Sequence, residues 1–337
     1  MIYILQISWN YPIVSQTLKE DPVMVCSEAG RNCQILSVKD NTTLNVIKNI
    51  LKKDIHAHGR GIPFPELSVF FARKAIYTPY NDTLGQKWRT RLVRRFVFNR
   101  YDKICVQTEY GRGLLIKEGI RADKVAVMPM PVDYEYFSKA SGGEVFRKKH
   151  NLGKDPFVIT VGIRPMKRPD IIAKACEAAG IKAVLVGPYK KSDLKKTWKG
   201  TGFDWYLPPK EILEMENVVL TGQLTGKSML QALDAATIYA HSSVYEGFGI
   251  AVYEGAATGL PMCLPSYGTF DAFRGAALFH DYDDHKKLAR NIKRYLDTPG
   301  LMEKNGKKSR QIAAKFDYPI VRKKYVDLYK SVGIDAA

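Results

Sequence analysis

Two carboxylates, Glu246 and Glu254, stand eight positions apart in the stretch SSVYEGFGIAVYEGAATGLP, residues 242–261. A glycine-containing turn and the start of a helix lie between them, which argues against a close acid/base pair of the hydrolase kind. Each is better suited to holding hydroxyls, because a carboxylate accepts two hydrogen bonds from the vicinal hydroxyls of a ribose or a hexose. Two surface or capping glutamates would have the same spacing. The helix that starts between them leaves backbone N–H groups without an intrahelical acceptor, and an anion can sit there. A second cluster, Gly162-Ile163-Arg164-Pro165-Met166-Lys167-Arg168-Pro169, puts three cations between the end of a strand pattern and a helix. Such charge suits a diphosphate leaving group, whose oxygens gain negative charge as the bond to it breaks. An exposed basic loop would have the same composition.

His56 and His58 alternate onto one face at the end of a strand-like run. The sequence offers them no clear third ligand, so no metal site is expected, and a buried, hydrogen-bonded strand histidine is the plain alternative. No GxSxG, P-loop or GxGxxG pattern occurs. A serine hydrolase, a P-loop NTPase and an ordinary dehydrogenase are therefore disfavoured.

These residues need elements to position them. Short apolar runs at 2–7, 32–38, 54–61, 74–78, 103–107 and 125–128 alternate with helical spacing at 41–53, 68–73, 85–100 and 109–118. The alternation resumes with strands at 157–162, 183–187, 218–221, 238–241 and 261–264. The helices of that half fall at 170–179, 227–235, 286–296, 301–315 and 319–331. This pattern predicts parallel sheets wrapped by helices. The Gly-, Lys- and Ser-rich residues 138–154 read as a linker between two domains, as 337 residues comfortably allow.

The net charge is +18. It suits contact with phospholipid, nucleic acid or a polyanionic substrate, or a plain solubilising surface. The most basic segment runs from Gly85 to Arg100, GQKWRTRLVRRFVFNR. On a helix, Trp88, Leu92, Val93, Phe96 and Val97 share an apolar half, with Arg91, Arg94 and Arg95 opposite and Arg89 and Arg100 breaking into the apolar side. Two readings stand: a helix packed on the sheet with solvated arginines, or an interfacial helix that meets anionic headgroups. No run of about 18 apolar residues is present to span a membrane. The first residues, MIYILQISWNYP, read as a strand rather than a signal peptide. Cys26, Cys33, Cys105, Cys176 and Cys263 form no CxxC and read as buried free thiols of a reducing cytoplasm.

In these stretches the sequence resembles the retaining GT-B glycosyltransferases of family 4, the glycosyl transferases group 1. Glu246-Gly247-Phe248-Gly249, Glu254 and Gly259-Leu260-Pro261 are similar to the E-G-F-G-(x)4-E-(x)4-G-x-P signature. Further likenesses occur in chain order. They comprise Pro12 to Thr17 (with Gln16 for the usual Glu), Asp54 to Gly59, Met128 to Phe137, Gly162 to Asp170, and Asn217 to Gly222. The likeness implies an α/β chain of two Rossmann-like, doubly wound domains facing a central cleft. Residues 1–140 would bind the acceptor, with a C-terminal helix near 317–337 packed back on them. Residues 151–316 would bind the nucleotide sugar.

Carried over residue by residue, Arg164 and Lys167 would hold the donor diphosphate and Glu254 the ribose hydroxyls. Glu246 would face the transferred sugar, Phe248, Gly249 and Ile250 would line phosphate and sugar, and Gly162 and Gly222 would complete the donor side. A family T-x-H element is replaced by Thr78-Pro79-Tyr80-Asn81-Asp82, so Ser15, His58, Tyr80, Asn81 and Asp82 are the acceptor-side candidates. A proline that usually precedes Ser242 is replaced by His241.

The resulting expectation is a cytoplasmic, metal-independent, retaining enzyme, peripheral on a membrane. It would need no cofactor beyond its donor substrate, a nucleoside diphosphate hexose carrying UDP or GDP. Its acceptor would be lipid-linked or a polysaccharide, and nucleic acid is the weaker partner. The rivals are a GT-B nucleotide-sugar epimerase or phosphorylase and a basic binding protein without catalysis. Oligomeric state, base and sugar are not legible.

Overall fold

The computed structural model describes residues 2–6, 22–37, 43–59, 67–79, 88–188 and 211–336. The chain divides into two compact units, Met1–Val132 with Phe316–Ala337, and Asp133–Lys315.

In the first unit the elements are β1 (Ile2–Gln6), α1 (Pro22–Ala29), β2 (Cys33–Ser37), α2 (Thr43–Ile50), β3 (Asp54–Gly59), β4 (Lys74–Pro79), α3 (Trp88–Phe98), β5 (Lys103–Val106), α4 (Glu109–Lys117) and β6 (Val125–Val127). The strands pair in parallel in the order β2-β1-β3-β4-β5-β6, so the order reverses between β1 and β3. Both faces of the sheet are covered, which explains why its strands read as apolar runs rather than alternating ones. On one face Leu5, Ile55 and Tyr77 pack against Val46 of α2, Val97 and Phe98 of α3 and Leu115 of α4. On the other, Ile4, Ile76 and Cys105 meet Cys26 of α1 and the side chains Val321, Tyr325 and Tyr329. Those three come from the C-terminal helix Tyr318–Ser331, capped by the Asp317 carboxylate on the Tyr318 N–H at 2.9 Å.

The second unit begins with α5 (Tyr134–Phe137) and α6 (Gly143–Lys149) and continues with β7 (Phe157–Val161), α7 (Pro169–Ala179), β8 (Lys182–Val186), α8 (Glu211–Glu214), β9 (Val218–Leu220) and α9 (Lys227–Ala235). It is completed by β10 (Ile238–Ala240), α10 (Ile250–Ala257), β11 (Met262–Pro265), β12 (Ala277–His280), α11 (His285–Asp297) and α12 (Leu301–Ala314), after which the C-terminal helix, α13, returns to the first unit. The sheet order β12-β11-β10-β7-β8-β9 is all parallel and reverses between β7 and β10. Doubly wound sheets bind ligands at such a reversal, outside the carboxyl ends of the strands, because the connections diverge there.

Three expectations are corrected. Residues 138–154 are not a linker: they include α6, which belongs to the second unit. The Gly143 N–H donates to Asp234 at 2.8 Å, Arg147 donates to the Ala235 carbonyl at 2.6 Å, and Phe146 is buried. The basic composition hid about two turns of helix that need only a single apolar anchor, and the first unit ends at Val132. Residues 68–73 hold only a 3-10 turn, Ser68–Phe70, because residues 71–73 already lead into β4.

The arginine-rich helix α3 is turned differently from expectation. Arg94 faces inward, 2% exposed, with its guanidinium 3.7 Å from Glu118 and over the Phe98 ring. Leu92, Val93 and Phe96 face solvent instead. Val97 and Phe98 already supply the apolar contact with the sheet, and the Glu118 carboxylate makes an inward arginine tolerable.

All five cysteines are free, and four are buried. Among the described residues no helix is long and apolar enough to cross a membrane.

Candidate donor site at the carboxyl edge of the second unit

The β7/β10 reversal sends two loops apart, and side chains tie them back together. After β7, Gly162 adopts φ +105° and its N–H donates to the Val186 carbonyl at 2.8 Å. A Cβ there would lie 3.1 Å from Lys167 Cγ in a backbone region that L-residues avoid, so glycine is required. Arg164 then opens a single 3-10 turn, Pro165–Lys167, and Pro169 starts α7. Arg168 turns away to form a two-point pair with Asp170.

The chain leaves β10 through His241, Ser242 and Ser243. The Val244 N–H donates to the Met166 carbonyl at 2.9 Å, and the Ser243 hydroxyl lies between that carbonyl, at 3.2 Å, and the Tyr245 carbonyl, at 2.8 Å. This lacing delivers Lys167 Nζ to Glu246 Oε1, an ion pair between residues far apart in sequence. The same Oε1 lies 3.0 Å from His241 Nε2, and the Thr269 hydroxyl donates to the Glu246 carbonyl at 2.8 Å.

Opposing effects fix the charge of this cluster. Burial pushes the Glu246 carboxyl up. The Lys167 charge and the His241 hydrogen bond more than offset it and hold the group near 2, against an ordinary 4.5. Burial lowers the His241 imidazole below its ordinary value despite its carboxylate neighbour. His241 is therefore neutral near pH 7 and acts as an Nε2–H donor, so Lys167 is the effective cation. Lys167 and His241 together orient one carboxylate oxygen of Glu246.

The folded state binds Glu246's proton less tightly than the unfolded state does. Its contribution is thus complete above about pH 5 and is lost as pH falls toward about 2. The loss is expected to be about 3 kcal/mol. Urea unfolding of wild type and Glu246→Gln across that window checks it: the stability difference should collapse at the acid end, and a constant difference would contradict the assignment.

Glu246 is followed by Phe248, stacked on Tyr253 at 4.1 Å, and by Gly249, the N-cap of α10 at φ +84°. A Cβ on Gly249 would lie 2.9 Å from the Phe270 ring. The turn therefore brings the chain into α10 with the first-turn N–H groups, beginning at Ile250, at the carboxyl edge. Glu254 is buried one turn into the helix. Helical side chains lean toward the N-terminus, so its carboxylate is carried back toward that same end. Tyr239 of β10 is fully buried, and its phenol is held well above its ordinary value by burial and then by the charges of Glu254 and Glu246. Gly162, Arg164, Lys167, Glu246, Phe248, Gly249, Ile250 and Glu254 are thus gathered by one switch point. Gly222, at φ +78°, follows β9 on the same edge but two strands away from β7.

A sequence profile described as Glycosyl transferases group 1 matches residues 143–312, half of the chain. The chain belongs to this family. It is a glycosyltransferase with the two Rossmann-like domains of the GT-B fold. A curated relative is the phosphatidylinositol N-acetylglucosaminyltransferase GPI3 subunit of Saccharomyces cerevisiae, 21% identical over 86% of this chain and 67% of that protein. Another is a GDP-mannose-dependent alpha-mannosyltransferase of Mycobacterium tuberculosis, 26% identical over 46% of this chain and 36% of that one. Among solved structures, Anabaena Alr3699/HepE in complex with UDP superposes with a TM-score of 0.76 at 16% identity, covering 98% of this chain and 99% of that one.

Three residues around Glu246 and Glu254 escaped the sequence reading. His241 was visible only as a replacement for proline, Tyr239 only as a strand residue, and Thr269 carried no signal. On the first unit the acceptor-side candidates Ser15, Tyr80, Asn81 and Asp82 lie outside the described residues. His58, the penultimate residue of β3, is buried and stacked on His56 at 4.4 Å, and burial holds it down near 3. Cys26 supplies the third ligand-type atom that the sequence did not reveal, within 4.8 Å of the two histidines. The chemistry of the three does not fit a metal. His56 engages Tyr329 at 2.8 Å through Nδ1 and Thr78 at 2.7 Å through Nε2. Burial raises the Cys26 thiol above its ordinary value. The cluster is a sealed polar layer that ties the C-terminal helix to β3 and β4.

Proposed function

We propose that this glycosyltransferase moves a hexose from a UDP- or GDP-sugar to a lipid-linked or glycan acceptor. The anomeric configuration is retained and no divalent metal is used. The observation that carries the reading is the Lys167–Glu246–His241 cluster at the β7/β10 reversal, beside the N-terminus of α10.

Lys167 and Arg164 take the charge that builds on the diphosphate oxygens as the bond to the sugar breaks, a task a metal performs elsewhere. The first-turn N–H groups of α10 add partial positive charge. Glu246, ionised and held at one oxygen, keeps its other oxygen for the transferred sugar. Glu254 holds the ribose hydroxyls. The bond from the anomeric carbon to the diphosphate breaks while that to the acceptor oxygen forms on the same face. The acceptor proton passes to the departing diphosphate oxygen, so no protein base need titrate.

The UDP complex of the Anabaena protein and the GDP-mannose dependence of the mycobacterial relative support the choice of bases. The yeast relative, by its name, supports a lipid acceptor. A cytoplasmic enzyme peripheral on a membrane fits that acceptor.

A donor screen tests the reading. Release of nucleoside diphosphate from UDP-, GDP- and ADP-sugars is followed with and without lipid and glycan acceptors. One base is expected to be preferred, with release stimulated by one acceptor class. Absence of calorimetric affinity for all three nucleoside diphosphates would overturn it.

A further inference from the structure

The outward face of α3 does not belong to the transfer site and has its own chemistry. Leu92, Val93 and Phe96 are 56, 60 and 56% exposed. Phe70 of the Ser68–Phe70 turn is 48% exposed and its ring stacks with Phe96, centroids 6.5 Å apart. The guanidinium of Arg100 lies 3.5 Å over the Phe96 ring and 5.4 Å from the Phe70 centroid. Leu51 extends the apolar surface, because backbone bonds from Lys52 to Phe71 and from Arg73 to Lys53 hold the end of α2 beside that turn. The side chains come from three segments, residues 43–53, 67–74 and 88–100. Together these hold ten lysines and arginines and no aspartate or glutamate, although three of the ten are paired with carboxylates outside the segments: Arg73 with Asp54, Lys74 with Asp102 and the inward Arg94 with Glu118. Arg91, Arg95, Lys52 and Lys53 are exposed around the apolar side chains.

We propose that this surface attaches the protein to an anionic lipid bilayer. Leu92, Val93, Phe96 and Phe70 enter the headgroup boundary, and Arg91, Arg95 and Arg100 meet lipid phosphates. Apolar side chains ringed by cations satisfy both halves of an interfacial contact, burial and charge. A second copy of the chain fits poorly, because a two-fold contact would press like charges together across the patch. Nucleic acid would use the arginines but leave the exposed leucine, valine and phenylalanines without a partner. Leu51, Phe70 and Phe96 precede β3, β4 and β5, so the patch gathers at the amino ends of those strands, away from His58. The patch therefore lies at the opposite end of the first sheet from the carboxyl edge at which doubly wound sheets bind ligands.

Vesicle flotation of the full chain tests the proposal. Vesicles of phosphatidylcholine alone are compared with vesicles also containing phosphatidylglycerol, at low and high salt. Wild type is expected to float with the anionic vesicles, less at high salt, and weakly with the neutral ones. The triple variant Leu92→Ser, Val93→Ser, Phe96→Ser and the double variant Arg91→Glu, Arg95→Glu should each lower partition by at least about tenfold. Both should keep the wild-type affinity for the nucleoside diphosphate, which separates loss of attachment from loss of fold or of donor binding. Wild type that ignores anionic vesicles, or variants that float as wild type does, would overturn the proposal. So would RNA binding that the serine variant leaves intact, which would assign the face to polyanions. Concentration-dependent dimerisation abolished by the serine variant, without flotation of wild type, would assign it to a second copy.

Discussion

Lys167→Ala is expected to lower the turnover of sugar transfer by about 10²- to 10³-fold, the usual cost of removing a preorganised group that meets developing charge. The affinity for donor should fall less than turnover does, because the diphosphate carries more charge in the transition state than in the ground state. The variant also strands the Glu246 carboxylate, which Lys167 and His241 now hold. A stability loss of up to about 3 kcal/mol is expected, at the low end for a buried pair because Lys167 is 25% exposed. The two effects separate in a second protein. Lys167→Met combined with Glu246→Gln leaves no lone buried charge, so stability should return while turnover stays low. The readouts are single-turnover kinetics with donor and acceptor, and urea unfolding. Turnover near wild type in Lys167→Ala would remove the lysine from the chemistry. Recovery of turnover in the double variant would make its role purely structural.

The types and spacing of Glu246, Gly249, Glu254 and Lys167 were legible because they are local: a strand end, a turn and a helix start each leave a pattern of a few residues. Alternation along the chain likewise gave the six strands of the first sheet and five of the second, missing the edge strand β12, since strands buried on two faces are written as short apolar runs. What escaped depends on neighbours brought together by topology. The Lys167–Glu246 pair exists because β10 lies beside β7, a sheet order that no local pattern encodes. Cys26 meets His56 and His58 only because α1 packs under β3. The rotation of α3 was illegible for another reason. Its sequence carries apolar residues on both sides, Leu92, Val93 and Phe96 on one and Val97 and Phe98 on the other, and the groups that receive the inward Arg94, the Glu118 carboxylate among them, are not marked by any local pattern. The α6 segment, with Phe146 as its one buried aromatic, offered too little period to distinguish a helix from a basic linker.

Glu254→Gln is expected to weaken binding of the preferred nucleoside diphosphate by roughly 100-fold, the loss of about two charge-assisted hydrogen bonds to the ribose. Glutamine keeps the volume of the side chain but offers one acceptor oxygen and an NH₂ where the carboxylate offered two acceptors. Neutralising Glu254 also removes one of the two negative charges that, after burial, hold the Tyr239 phenol up, so the fold around β10 should not suffer. Calorimetry with a 2′,3′-dideoxy nucleoside diphosphate makes the assignment specific. Wild type should lose about the same factor on the dideoxy compound that the substitution costs on the normal one, while Glu254→Gln should bind the two alike. If the variant still prefers the ribose compound by the wild-type factor, Glu254 does not read the hydroxyls, and its burial in α10 serves the packing of that helix instead. If both proteins bind the two compounds equally, the ribose hydroxyls contribute nothing to affinity, and nucleotide recognition rests on the diphosphate and the base, with the segment after β9 at Gly222 the next place to probe for the base.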